Sequence, residues 1–232
     1  MTSTSQELFT AIGADDLAAV QALLGAEPTL AGALDDQGVS ALMRARYRMD
    51  EPMAQAVRSH VTDLDLFEAA AFADLDRLTE LLAYDPASIV ARSGDGFTAL
   101  HFAAFFADAQ VVEFLVTRGA EVDARGTGWM TGTALHSAAS RRRADIAQVL
   151  LDAGADPNVR QAKGWTPLHS GAHNGSAELV RMLLDAGADP SPADDDGATP
   201  VQLSEAEGHA DTVALLREAQ VRGDQPEEES NA

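Results

Sequence analysis

An eight-residue block returns four times in the second half of the chain, and repetition at that period is incompatible with a single closed core. The blocks read Phe97-Thr-Ala-Leu-His-Phe-Ala-Ala, Gly132-Thr-Ala-Leu-His-Ser-Ala-Ala, Trp165-Thr-Pro-Leu-His-Ser-Gly-Ala and Ala198-Thr-Pro-Val-Gln-Leu-Ser-Glu. Their threonines, Thr98, Thr133, Thr166 and Thr199, stand 35, 33 and 33 residues apart. A fixed period of about 20–50 residues marks stacked units, each unable to cover its own apolar face.

Each block is followed by a second apolar stretch, beginning at Val111, Ile146, Leu179 and Val213. Three of these run on into Gly119-Ala-Glu-Val-Asp, Gly154-Ala-Asp-Pro-Asn and Gly187-Ala-Asp-Pro. A threonine ahead of an apolar run caps a helix, and Pro167 and Pro200 sit in a first turn, where a missing N–H is tolerated. The second stretches carry apolar residues at helical spacing, as in Val111, Val112, Phe114 and Leu115. Gly119, Gly154 and Gly187 then end those helices in a left-handed conformation. In these residues the sequence resembles the ankyrin repeat family. The resemblance implies an all-α fold, an ankyrin repeat solenoid of about seven helix-turn-helix repeats with short turn or hairpin fingers. It also implies that His101, His136 and His169 bond the neighbouring turn.

A gap-free offset of 58 exposes the same unit in the first hundred residues: Leu8-Phe9 matches Leu66-Phe67, Asp16-Leu17 matches Asp74-Leu75, and Pro28 matches Pro86. The step from Leu8 to Leu42 is 34, but that from Leu42 to Leu66 is only 24, and no Gly-Ala-Asp exit follows Met53. Repeats are expected to begin near residues 5, 38, 63, 95, 130, 164 and 197. The expected organisation is two degenerate repeats over 1–62, repeats three to seven with a C-terminal cap over 63–221, and a disordered acidic tail over 222–232. Residues 194–232 hold eleven acids and two arginines, 2 − 11 = −9, as suits a solvated cap.

Sixteen basic against 37 acidic side chains give a net charge of −21. Affinity for nucleic acid comes from phosphates neutralised by Lys and Arg, so nucleic acid is not an expected ligand, and neither is an anionic membrane. The absence of cysteine excludes disulfides and thiolate chemistry. The first residues lack a basic and apolar leader and no long apolar run occurs, so the cytoplasm is the expected compartment. The Arg-over-Lys bias and high alanine content suggest a bacterial source. No enzymatic motif accompanies the acid pairs, and Lys163 is the single lysine, so neither catalysis nor a cofactor is expected. The three repeat histidines occupy one register about 10 Å apart, too far for the roughly 2 Å reach of a shared metal. Arg222-Gly223-Asp224 is too short a match to carry function.

The informative residues are those that the scaffold does not need. By resemblance, the concave face is lined by turn tips and by the C-terminal ends of first helices. That register places Tyr47, Phe72, Phe105, Phe106, Arg141, His173 and Asn174 on helix ends, and Phe97, Trp129, Met130, Lys163 and Trp165 on tips. Aromatic residues and arginine dominate interface energetics. The expected function is a non-catalytic protein-interaction module, a monomer that grips another protein on this aromatic face. The alternative is an acidic inhibitor or nucleic-acid mimic that blocks a basic protein. Arg142 departs from the family, which has glycine there, as at Gly175 and Gly208.

Overall fold

A computed structural model describes residues 2–128 and 131–223. Among them fourteen α-helices follow one another as seven pairs: α1 (Ser3–Gly13) with α2 (Leu17–Ala26), α3 (Ala41–Tyr47) with α4 (Glu51–Arg58), α5 (Leu66–Ala71) with α6 (Leu75–Tyr84), α7 (Ala99–Phe106) with α8 (Ala109–Thr117), α9 (Ala134–Ser140) with α10 (Ala144–Asp152), α11 (Pro167–His173) with α12 (Ala177–Asp185), and α13 (Pro200–Ala206) with α14 (Ala210–Gly223). The all-α helix-turn-helix architecture is therefore as expected. α14 carries on through Arg222 to Gly223, and the rest of the expected acidic tail, 224–232, lies outside the described residues. Contacts group the chain into two compact units that divide between Phe102 and Ala103.

In the second unit, first helices pack on first helices and second helices on second helices, as α9 with α11 with α13 and α10 with α12 with α14. Leu135, Ile146, Leu150, Leu168, Leu179 and Leu183 are wholly buried between them. Threonine opens the first helices, but the partner of its hydroxyl is the histidine three residues on: Thr133 Oγ1 lies 3.0 Å from His136 Nδ1, and Thr166 Oγ1 2.9 Å from His169 Nδ1. The Thr133 and Thr166 amides donate to the same nitrogens at 3.1 Å. Since an amide N–H can only donate, Nδ1 accepts and the ring proton sits on Nε2. In His136 that proton reaches the Trp165 carbonyl of the next repeat, at 3.2 Å. In His169 the buried Nε2 has no well-aligned hydrogen-bond partner among the described residues, and burial holds this imidazole below its ordinary pKa.

The first unit reaches the same helix pairs with other residues. Ser40 caps α3, and Asp65 and Glu68 form a reciprocal capping box at the start of α5, at 2.8 and 3.1 Å. Asp16, Asp50 and Asp74 cap α2, α4 and α6. The 58-residue duplication is visible as two short 3-10 helices, Pro28–Gly32 and Pro86–Val90.

Hairpin fingers precede the first helices. Their closing bonds run from Asp35 N to the Val39 oxygen, from Ser93 N to that of Phe97, from Gln161 N to that of Trp165 and from Asp194 N to that of Ala198. Only residues 59–65 join α4 to α5, too few for a finger. The fingers on either side of this gap meet instead. A Cβ placed on Gly94 would press on the Gln37 carbonyl oxygen and come within 2.9 Å of the Gly38 carbonyl carbon, so only glycine permits the approach. Tyr47 donates its hydroxyl to Asp95 across the same joint, and Ser40 donates to the buried Glu68 beneath it, at 2.5 Å.

The turn between the helices of a pair is left-handed in six of the seven repeats, at Asp15, Met49, Ala73, Arg142, Gly175 and Gly208, with φ of 56°, 58°, 56°, 57°, 65° and 76°. Arg142 thus takes the glycine conformation without being glycine. In the fourth repeat the buried Ala107 ends α7 without a left-handed residue.

Candidate functional site

The ends of successive first helices in the second unit are cross-linked into one band. α7 closes on Phe105 and Phe106, both half-buried, with ring centroids 4.7 Å apart and planes at 66°. Arg141 follows α9, exposed, and holds its guanidinium 5.2 Å above the centre of the Phe105 ring. That arrangement lets the ring face attract the cation. Asn174, the residue after α11, donates its amide to the last carbonyls of α9, Ala139 at 3.4 Å and Ser140 at 3.3 Å. The exposed His173 has its Nδ1 3.9 Å from a Glu207 carboxylate oxygen beyond α13, while His209 reaches its carbonyl at 3.1 Å.

The three consecutive arginines divide their work. Arg143 grips Asp145 through two bonds of 2.9 and 2.8 Å and donates to the Ala107 carbonyl at 2.7 Å, so it is committed to the fold. Asp145 is held below the usual carboxylate range by that bond. Arg142 supplies the left-handed turn, with its side chain exposed and in no ion pair among the described residues. Arg141 alone is turned over an aromatic ring.

Trp165 and Lys163 sit on the finger that leads into α11. Trp165 is half-buried: its indole donates to Asp194 at 3.0 Å, and its ring lies 6.0 Å from His169 and 5.8 Å from His173. The Ala198 amide, with help from this indole, keeps Asp194 below the ordinary carboxylate pKa. Lys163 is exposed and left-handed, with φ of 63°. Trp129 and Met130 lie outside the described residues.

In the first unit the expected aromatics are less available. Tyr47 is half-buried and tied to Asp95, its ring centroid is 6.3 Å from that of Phe102, and burial pushes the phenol far above its usual pKa. Phe72 is half-buried under the Arg46 guanidinium, 4.9 Å from its ring centre. Phe97 corrects the sequence reading. It is 2% exposed and packs on His101 and Phe102, with centroids 5.6 and 5.9 Å away. The cause is Phe102, a large ring where the next two repeats carry Ser137 and Ser170, which draws Phe97 inward.

The sequence reading also passed over a cleft of about 390 Å³ among the first two repeats, lined by Phe9, Ile12, Asp35, Arg44, Tyr47 and Arg48. Its guanidiniums are engaged: Arg44 pairs with Asp35 at 2.5 Å, and Arg48 forks onto Asp15. The signal was present, because Asp15 and Arg48 stand 33 residues apart, one repeat, with opposite charge. Among the described residues no group of three or more His, Asp or Glu could hold a metal ion, and no helix is long and apolar enough to cross a membrane.

A family model described as ankyrin repeats (3 copies) matches residues 66–161 and 154–226. The palmitoyltransferase Hip14 of Drosophila melanogaster is 28% identical over 49% of this chain and 18% of its own length. The ankyrin repeat and SAM domain-containing protein 6 of Mus musculus is 32% identical over 44% of this chain and 11% of its own. Human diacylglycerol kinase iota is 30% identical over 58% of this chain and 13% of its own. The matched stretches thus span less than a fifth of these curated relatives.

Proposed function

This chain belongs to the ankyrin repeat family, and from that premise we propose that it is a non-catalytic protein-interaction module whose binding face is the band of helix ends carrying Phe105, Phe106, Arg141, His173 and Asn174. The family's repeats serve generally as protein-binding modules, and a fold names no partner by itself, so the residues beyond the scaffold must carry the reading. The observation that carries it is the half-exposed Phe105 and Phe106 pair with Arg141 laid over it. The next two repeats carry Ser140 and Arg141, then His173 and Asn174, at the same register, so the repeat itself does not dictate aromatic residues there. Aromatic and arginine side chains grouped at a water-excluding centre are what interface hot spots consist of. The enzymatic names of the palmitoyltransferase and the kinase belong to those longer proteins, which share the repeats with this chain.

The test is retrieval of a partner from the source cell by the intact chain and by a Phe105→Ala/Phe106→Ala variant with an unchanged melting temperature. Loss of the partner by the variant supports the face, and equal retrieval places the interface elsewhere. The −21 charge favours a second reading, an acidic inhibitor of a basic protein. Salt separates the two: apolar anchoring persists at 0.5 M salt, whereas charge mimicry collapses once the Debye length falls to about 4 Å.

A further inference from the structure

We infer that the partner's contribution to this face is an acidic segment with a large apolar side chain: the apolar group settles on Phe105 and Phe106, and one or two carboxylates take Arg141 and Arg142. The inference rests on the binding face proposed above and adds the chemistry of its occupant. A molecule of charge −21 would at first be matched with a basic partner. At physiological salt, however, the Debye length is about 8 Å, so charges farther away are largely screened and those in contact decide.

At this place the contacting charges are positive. Arg141 holds its guanidinium 5.2 Å over the Phe105 ring, so any group that covers the ring meets the cation as well. Arg142 is exposed beside it with no carboxylate partner among the described residues. The nearest acid in sequence, Asp145, is already gripped by Arg143 at two points. Asp108, two residues past Phe106, is exposed but accepts from the Val111 amide at the start of α8, and farther along the band Glu207 stands next to His173. A guanidinium fork matches a carboxylate in geometry as well as charge, which makes arginine the better reader of Asp or Glu.

Spacing narrows the segment further. Packed helices lie about 8–10 Å apart and an extended chain advances about 3.3 Å per residue, so the carboxylate belongs within about three residues of the apolar anchor. Complementary charges of this kind set register and exclude wrong partners more than they add raw affinity.

The experiment selects random dodecapeptides from a displayed library on the full-length chain, then measures the winners against Arg141→Glu/Arg142→Glu and Phe106→Ala variants, with melting temperature as the control for folding. The expected winners carry Asp or Glu within three residues of Leu, Phe or Trp, and lose at least about tenfold in affinity with either variant. Winners rich in Lys or Arg that still depend on Phe106 would overturn the acidic segment and leave the binding face standing. Winners indifferent to both variants would overturn the face and the segment together. A selection without winners would also overturn the inference, since a linear acidic segment would then have no affinity for this face.

Discussion

In the fifth and sixth repeats the first helix opens on the same threonine-histidine box, Thr133 with His136 and Thr166 with His169, whereas the second and third repeats open theirs on Ser40 and on the Asp65–Glu68 pair. The sixth and seventh repeats turn on glycine; the first three turn on Asp15, Met49 and Ala73 in the same left-handed conformation. One region repeats its opening box from joint to joint, although its turn residue changes from Arg142 to Gly175 and Gly208. The other replaces the missing finger by a single contact, Gly94 against Gln37 and Gly38, with Tyr47 bonded to Asp95. Uniform joints spread stability over many similar bonds, while an irregular joint concentrates it in a few residues with no substitute.

Cutting the chain at the short step gives the largest expected effect. We propose that residues 63–221 remain folded, since the fifth to seventh repeats carry their own boxes, but melt at a lower temperature once Ser40, Gly38 and Tyr47 no longer meet Glu68, Gly94 and Asp95. Circular dichroism checks this, and an unfolded fragment beside a folded 1–221 would show that 59–65 does not divide the stack. Next in size, Leu150→Ala empties a wholly buried position in α10 and should cost about 2–5 kcal/mol in denaturant titration. Gly94→Ala should cost about 1–3 kcal/mol by forcing the two fingers apart. Its control is Gly25→Ala in α2, where an added Cβ meets nothing within 4 Å and stability should rise slightly. Equal losses at both glycines would remove the finger contact from the comparison. The smallest effect is a gain: Arg142→Gly relieves a left-handed residue, worth about 1–2 kcal/mol, against about 0.5–1 kcal/mol of added chain entropy. A melting temperature that rises by a few degrees is the expected readout.

The two regions also differ in how far they could be read from sequence. The Thr-Pro-Leu-His boxes and Gly-Ala-Asp exits name their own conformations, because a cap or a left-handed glycine is a local device. So the seven helix pairs were legible, and with them the bond from His136 to the next repeat. Phe97 was misread because it shares a register with the half-exposed Trp165, and its burial is decided by Phe102, a change that one-repeat bookkeeping does not weigh. The meeting of two fingers across a gap is a contact between non-neighbouring repeats, which no period announces. At the candidate site, the register gave Phe105, Phe106, Arg141 and His173 as neighbours; the separate tasks of Arg141, Arg142 and Arg143 depend on side-chain directions that only the structure supplies.

The central claim is that Phe106 serves recognition and not packing. Its most direct test is the affinity of the Phe106→Ala variant for a peptide or partner captured by the intact chain, measured by titration calorimetry alongside the melting temperature. The expected result is a loss of at least about 2 kcal/mol of binding, close to thirtyfold, with the melting temperature nearly unchanged. Unchanged affinity with several kcal/mol of lost stability would contradict the account, assign Phe106 to the core between repeats, and leave the helix-end band without its anchor.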